Sequence, residues 1–238
     1  MLLPLADHIL FLLLGIVLPV ILLVTGNRRR KGTPIRWSEK MKVGLYYSNG
    51  LLLYGMAAAV VVTWLLTGRP LTEIGLGWGK LPYDLTAVLL LVGFLVLYLL
   101  DLYYEAGSPA SREETRQEFK KLGFLPVNAY QFLHFLFLAL AAGVGEEIVY
   151  RGFMINYLSG LFGDTGWAVV VVLLGPAIAF GVGHIYQGWR AVGKIIAMAV
   201  LFGFFLLRTN TLWPLILIHT AVDVLGGLLS WYLQGREE

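Results

Sequence analysis

The stretch GEEIVYRGF, residues 145–153, places two carboxylates and an arginine inside an apolar run that extends from Tyr130 to Phe162. Ionisable groups at membrane depth are costly and by default mark a functional site. On a helix, Glu147 and Arg151 lie four residues apart on one face, in the favoured order of acid before base. Glu146 points about 100° away from Glu147. The sequence therefore predicts that Arg151 holds Glu147 and leaves Glu146 for chemistry. A buried ion pair that only fixes helix packing is the alternative.

The composition around this stretch is that of a protein that crosses a membrane several times. Of the 238 residues, 58% are hydrophobic and only 14% are charged, whereas a soluble domain has about 25% charged residues. The formal net charge is +3, and the basic residues cluster between apolar runs. This pattern indicates membrane orientation and no nucleic-acid partner. The chain has no cysteine, which excludes disulfides, thiolate metal sites and a cysteine nucleophile.

The apolar segments predict an all-α fold, a polytopic membrane helical bundle with about seven transmembrane helices. The predicted spans are 1–24, 43–67, 83–104, a fourth that opens at Asn128, 166–184, 189–207 and 211–233. The Gly175-Pro176 pair predicts an interruption of the fifth span. The mixed charges of residues 105–125 predict a short helix on the membrane surface, with a solvated connector as the alternative.

The distribution of lysine and arginine predicts the orientation of the bundle. With the amino terminus outside and the carboxyl terminus in the cytoplasm, three basic residues face out, namely Arg69, Lys80 and Arg208. Fourteen then lie inside: Arg28, Arg29, Arg30, Lys31, Arg36, Lys40, Lys42, Arg112, Arg116, Lys120, Lys121, Arg190, Lys194 and Arg236. We expect the protein in the plasma membrane with this topology.

Two further predicted spans each contribute a histidine. The fifth ends at His184, and the seventh contains His219 and Asp223, which are four residues apart and share a helix face. A lone intramembrane histidine is more often a packing residue. Buried without partners, however, these groups would each cost several kcal/mol. We therefore expect Glu146, His184 and His219 to converge in one polar, water-holding cavity.

Taken in series, Glu146-Glu147-x-x-x-Arg151, Phe180-x-x-x-His184 and His219-x-x-x-Asp223 resemble the signature of the CPBP family of intramembrane proteases. That family includes type II CAAX prenyl endopeptidases and bacteriocin-processing or self-immunity (Abi) proteins. The resemblance covers about residues 125–228. It implies one membrane domain over residues 1–238, with accessory transmembrane helices in 1–104 and the catalytic core in 125–228. The implied activity is endopeptidase cleavage of a membrane-anchored or lipidated protein or peptide.

The resemblance also implies roles for the site residues. Glu146 and His184 would position and deprotonate a water that attacks the scissile carbonyl, without an acyl-enzyme. His219 and residue 223 would stabilise the oxyanion. Glu147 and Arg151 would hold the site in shape.

Asp223 departs from the family pattern, which often has asparagine at this position. An ionised aspartate only accepts hydrogen bonds, so Asp223 would orient His219 or bind a metal instead of donating to an oxyanion. A metalloprotease version therefore stays open, in which a divalent metal such as zinc is held by candidates Glu146, His184, His219 and Asp223.

If each predicted segment crosses the membrane as one straight helix, the three site residues do not lie at the same depth in the bilayer. Glu146 is eighteen residues past Asn128, about 27 Å along a helix. Glu146 and His219 then fall near the outer side of the membrane, whereas His184 falls near the inner side. A long tilted fourth helix or a break at Gly175-Pro176 would reconcile these depths.

Two other functions compete with the protease. A transporter could use buried Glu, His and Asp as a proton relay, although the paired broken helices typical of repeated halves are not found. A non-catalytic scaffold or immunity protein would keep the fold and bind a partner.

Overall fold

The computed structural model describes residues 3–31, 36–79 and 84–235, and the side chains among them except those of residues 27–31. Within these ranges the chain forms eight helices, which we number α1 to α8, and one 3₁₀ turn. Helices α1 and α5 each contain a π-helical segment. The bounds are α1 Leu5–Phe11, Leu12–Val17 (π) and Leu18–Lys31; α2 Glu39–Leu66; α3 Leu85–Gly107; α4 Pro109–Leu122; α5 Ala129–Glu146, Glu147–Ile155 (π) and Asn156–Phe162; α6 Ala168–Gly183; the 3₁₀ turn Ile185–Gln187; α7 Trp189–Thr209; and α8 Trp213–Gln234.

Seven of these helices have the composition of membrane segments. Six are long and apolar enough to span a bilayer: α1 over Leu5–Gly26, α2, α3, α5 over Ala129–Phe162, α7 and α8. Helix α6 is apolar but shorter, with 16 residues. The predicted all-α membrane bundle of about seven transmembrane helices is therefore confirmed, and the chain is an integral membrane protein. The predicted starts at Met1 and Tyr83, and the basic side chains of Arg28 to Lys31, Lys80 and Arg236, lie outside the described residues or side chains.

The expected interruption at Gly175-Pro176 is wrong. Pro176 lies inside helix α6, which continues to Gly183. A proline removes one backbone donor from a helix, and membrane helices tolerate this loss where neighbouring helices pack around them. Helix α6 packs against α7 and against the π-helical segment of α5, so it stays continuous.

The polar residues that start the helices are well defined by hydrogen bonds. The Asn128 side chain accepts from the Gln131 backbone N–H at 2.9 Å and begins α5 as predicted. Asp84 begins α3 in the same way, with the Ala87 N–H at 3.0 Å. That hydrogen bond, followed by the neighbouring Arg208 guanidinium, lowers the pKa of Asp84 below its ordinary value.

Helix α5 lies at the centre of the bundle and packs closely against α2 and α8. A methyl group added to Gly143 would lie 3.0 Å from the Ile216 carbonyl oxygen and 3.0 Å from the Thr220 backbone nitrogen, both in α8. One added to Gly145 would lie 2.9 Å from the Leu53 carbonyl oxygen in α2. These glycines let the three backbones approach, as small residues do between membrane helices.

The segments that connect the helices form hydrogen bonds at both ends of the bundle. At one end, which we call the loop end, residues 67–79 pack on the connection between α7 and α8. The Leu212 N–H donates to the Gly75 carbonyl at 2.7 Å, and the Asn210 amide donates to the Thr72 carbonyl at 3.0 Å.

The opposite end, which we call the α4 end, contains α4, the start of α2 and the end of α8. Here the Lys42 ammonium donates to the Leu125 carbonyl at 2.8 Å, and the Tyr46 hydroxyl donates to the Phe124 carbonyl. Ser230 of α8 donates to the Pro126 carbonyl at 2.9 Å. The connection between α4 and α5 is thus fixed to both neighbouring helices.

Candidate active site

The two adjacent glutamates occupy different environments at the point where α5 changes from α to π geometry. Glu147 is fully buried, and its Oε1 lies 3.1 Å from Nη1 of Arg151, which is also buried. The Glu146 side chain is 15% exposed and lines a cavity. The predicted separation of the pair is present in the structure. π-Helical segments occur frequently at functional sites.

The buried ion pair is enclosed by aromatic rings. The Arg151 guanidinium carbon lies 4.3 Å from the ring centroid of Phe180 and 5.7 Å from that of Phe202, within the range of cation–π attraction. Oε2 of Glu147 and both terminal nitrogens of Arg151 have no hydrogen-bond partner among the described residues. These atoms are therefore stabilised by the charges of the pair and by the rings, whereas Glu147 Oε1 also contacts His219 Nδ1 at 2.7 Å.

His219 connects the acidic residues of α5 and α8. Its Nδ1 lies 2.7 Å from Oε1 of Glu147, and because an ionised carboxylate only accepts, the imidazole is the donor. Its Nε2 lies 3.5 Å from Oε2 of Glu146 and 3.9 Å from Oδ2 of Asp223. The hydrogen bond to Glu147 fixes the ring so that Nε2 faces the other two carboxylates.

His184 reaches the same region from the end of α6. Its Nδ1 lies 3.0 Å from the Phe180 carbonyl oxygen, which can only accept, so Nδ1 donates and Nε2 is left to accept. The Phe180 ring lies between the two histidines, with centroids 4.7 Å from His184 and 6.0 Å from His219. Phe180 is thus a shared contact of both imidazoles and of the Arg151 guanidinium.

One cavity of about 610 Å³ is lined by Glu146, His184 and Asp223. Glu147, Arg151 and His219 are not part of its lining, but His219 Nε2 lies next to the lining residues Glu146 and Asp223. Apolar side chains of α1 and α2 also line the cavity, including Leu18, Leu22, Leu45, Leu52 and Met56. The six predicted site residues therefore form one cluster, with three of them facing the cavity.

The length of α5 explains how the three segments meet. The helix is continuous over Ala129–Phe162, 34 residues, or about 51 Å at 1.5 Å per residue. Glu146 lies near its middle. His219 lies between the first and second turns from the start of α8 at Trp213, and His184 directly follows Gly183, the last residue of the short α6. The long continuous helix of the first alternative is observed, and the break at Gly175-Pro176 of the second is absent.

The described residues include no group of three or more His, Asp or Glu side chains arranged to hold a metal ion. The candidate ligand set Glu146, His184, His219 and Asp223 therefore does not form a metal site in this arrangement.

The cavity lining also includes polar residues outside the motifs, among them two from the predicted apolar spans of α2 and α3. Asn49 of α2 lines the cavity. Tyr98 of α3 also lines it and donates to the Val222 carbonyl at 3.1 Å, next to Asp223. Each could have been found in the sequence as a polar side chain inside an apolar segment, because burying such a group in a membrane costs free energy unless it has a partner or a function.

The fold and the site together define a helical membrane protein with a cavity lined by carboxylate and imidazole groups inside the bundle. The family described as Type II CAAX prenyl endopeptidase, Rce1-like, matches residues 128–225, about two fifths of the chain. The matched region begins at the cap of α5 and contains all six predicted site residues. The match confirms the resemblance to the CPBP family and supports a peptidase of the CAAX-endopeptidase type. No curated protein and no solved structure gives a significant match to the chain.

Proposed function

We propose that this protein is an intramembrane endopeptidase that hydrolyses a peptide bond of a membrane-anchored or lipidated protein or peptide. The observation that carries the proposal is the approach of Glu146, His184 and Asp223 to one cavity, with His219 Nε2 at 3.5 Å from Glu146. The family match of residues 128–225 supports the reaction class.

In the proposed reaction, Glu146 and His184 bind a water molecule in the cavity. The Glu146 carboxylate takes one proton from the water as its oxygen attacks the scissile carbonyl carbon. The resulting tetrahedral oxyanion is stabilised by the Nε2–H of protonated His219, which Glu147 holds in orientation. Glu146 then passes its proton to the leaving amine, and the C–N bond breaks.

The magnitudes of these effects are substantial. A general base typically contributes 10²–10⁴-fold in rate, and one preorganised oxyanion donor is worth about 2.7–4 kcal/mol. A donor held by a buried carboxylate is preorganised because its orientation is fixed before the substrate binds. The Glu147–His219 hydrogen bond at 2.7 Å provides this orientation.

The cavity suits a largely apolar polypeptide segment. Its volume of about 610 Å³ lies within the roughly 300–1,000 Å³ typical of ligand sites. Its lining includes the apolar side chains Leu18 and Leu22 of α1 and Leu45, Leu52 and Met56 of α2. An apolar segment of the substrate would pack on these side chains, with its scissile bond near Glu146.

The test is cleavage of a panel of fluorogenic, membrane-anchored peptides by the purified protein in detergent. We expect wild type to cleave and Glu146→Ala and His219→Ala each to lose at least about 100-fold in kcat/KM. His134→Ala is the matched control, because His134 lies in the same helix but bonds to Tyr47 at 2.9 Å. Cleavage that is unaffected by the first two substitutions would exclude this mechanism.

The same preparation tests the role of a metal. The proposal expects cleavage to persist after chelation with EDTA. Loss of activity on chelation, with recovery on adding zinc, would favour the metalloprotease version instead.

A further inference from the structure

A second concave surface lies at the α4 end of the bundle, outside the catalytic cluster. It is a groove of about 830 Å³ between the last turns of α3, helix α4 and the first turns of α7. We call it the polar groove. Its charged lining comes from all three helices and includes Asp101, Glu105, Glu114, Glu118, Arg190 and Lys194.

The polar groove adjoins the cavity that Glu146 lines. Five residues line both spaces: Glu105, Phe119, Leu122, Tyr186 and Gln187. These five residues lie between the polar groove at the α4 end and the more apolar cavity that Glu146 lines. A polypeptide that passes between these five residues would connect the polar groove with the cavity that Glu146 lines.

We propose that the polar groove binds the hydrophilic segment of the substrate polypeptide that adjoins the apolar segment in the cavity. The inference rests on the proposed function and adds a docking surface with a defined occupant. An extended polypeptide must satisfy its backbone N–H and C=O groups. The polar groove offers polar side chains from three helices for this purpose, whereas the α1 and α2 wall of the cavity is mainly apolar.

The composition of the cavity and of the polar groove determines which part of the substrate lies in each. Its apolar part lies against α1 and α2, and its hydrophilic part leaves past Phe119 and Leu122 toward α4. Cleavage then falls close to the junction between the two parts. Residues of α3, α4 and α7 contact the hydrophilic part and contribute to sequence preference without touching the reacting atoms.

Helix α4 provides a charge test of this surface. Glu114 and Glu118 are exposed, lie four residues apart and face the polar groove. The preceding residue, Glu113, is not part of the groove lining and lies 3.0 Å from Nε of Arg116. Glutamate can therefore be replaced by lysine on the groove face or away from it, at exposed positions of one helix.

The experiment uses the full chain and three membrane-anchored peptides that differ only in a six-residue hydrophilic flank, rich in lysine, in glutamate or in glycine and serine. The quantity measured is the kcat/KM for the lysine flank divided by that for the glutamate flank. We expect the double variant Glu114→Lys, Glu118→Lys to lower this ratio by about threefold or more, as two exposed charge contacts would. Glu113→Lys should leave it unchanged. An equal ratio in the double variant and wild type would overturn the proposal.

A binding measurement separates this proposal from the proposed function. Peptides with a photoreactive group in the flank are cross-linked to the Glu146→Gln variant, and the labelled residues are mapped by mass spectrometry. Labelling within residues 101–122 and 186–195 is the expected result. If wild type cleaves no peptide but this labelling occurs, the peptidase fails and the docking surface stands. If wild type cleaves and labelling falls only elsewhere, the docking surface is wrong and the peptidase stands.

Discussion

His219 is the residue on which the candidate site depends, because it joins carboxylates from two helices. Its Nδ1 bonds Glu147 at 2.7 Å and its Nε2 lies 3.5 Å from Glu146 and 3.9 Å from Asp223. One side of the imidazole is therefore used for positioning, and the other faces the cavity residues. Glu147, which is fully buried, positions the imidazole, whereas Glu146 faces the cavity.

At the residue scale, Arg151→Met is expected to destabilise the protein strongly. The substitution breaks the buried ion pair and leaves Glu147 with His219 as its remaining partner; breaking a buried pair typically costs about 3–5 kcal/mol. Denaturant unfolding in detergent measures the loss. Lys194→Met is the matched control, because Lys194 pairs with Asp101 at 2.6 Å but both side chains are about half exposed, and exposed pairs contribute about 0–1 kcal/mol. Equal losses in the two variants would contradict a structural role for the buried pair.

The role of Asp223 is tested by comparing Asp223→Asn with Asp223→Ala. We expect the asparagine variant to keep kcat/KM within about tenfold, since its amide oxygen still accepts a hydrogen bond and its amide can donate. The alanine variant, which has neither group, should lose more. If both variants are equally inactive, the negative charge itself is required, and a charge-dependent role such as metal binding would replace the orienting role.

The sequence predicts part of this site and not the rest. The spacing of Glu147 and Arg151 predicts their ion pair, because both lie on one helix. The hydrogen bond between His219 and Glu147 joins helices that are 72 residues apart in sequence, and no local period predicts it. The position of Phe180 between the two imidazoles also depends on how α6 packs against α5 and α8.

At the scale of elements, the site requires α5 and α8 to approach closely at Gly143. A Cβ at this position would lie 3.0 Å from the Ile216 carbonyl oxygen and from the Thr220 nitrogen, which is closer than ordinary contact. Because His219 directly precedes Thr220, any separation of the two helices moves the imidazole away from Glu147.

Gly143→Ala is therefore expected to reduce both thermal stability and kcat/KM, the latter by about tenfold or more, since small displacements at an active site are costly. Gly93→Ala in α3 is the control, because a Cβ there meets nothing within 4 Å and alanine favours a helix by about 1 kcal/mol over glycine. A Gly143→Ala variant as active and stable as the control would refute the close packing described above.

The elements were predictable where local signals are strong. Asn128 predicts the start of α5, and the charged residues after α3 predict the helix α4. The π segment Glu147–Ile155 and the continuity of α6 through Pro176 were not predictable, because both depend on contacts with neighbouring helices. The continuous α5, in turn, brings Glu146 to the middle of a 34-residue helix.

At the scale of the whole molecule, the described basic residues at the ends of the spans or outside them are concentrated at the α4 end. Arg112, Arg116, Lys121 and Arg190 lie there, whereas Arg69 and Arg208 lie at the loop end. The positive-inside rule then predicts that the α4 end faces the cytoplasm, with the polar groove open to it.

The absence of cysteine from the sequence allows a direct test of this orientation. Glu73→Cys at the loop end and Glu113→Cys on α4 introduce single thiols at exposed positions. A membrane-impermeant maleimide should label the Glu73→Cys variant in intact cells and the Glu113→Cys variant only after permeabilisation. The reverse pattern would invert the topology and place the polar groove outside.

Sequence composition alone predicted the membrane bundle, because hydropathy reports burial in lipid whatever the packing. It could not predict the two compartments of the site, since residues of α1, α2 and α3 such as Leu22, Asn49 and Tyr98 carry no motif. Their contribution to the cavity arises only when these helices pack around α5.

The central claim is that the Glu146 carboxylate activates a water molecule for peptide hydrolysis, and the single-turnover cleavage rate of Glu146→Gln tests it most directly. Glutamine has nearly the same shape as glutamate but cannot take a proton from water. We predict a rate reduced by about 10²–10⁴-fold, with peptide binding and melting temperature close to those of wild type. A rate within tenfold of wild type would contradict the account.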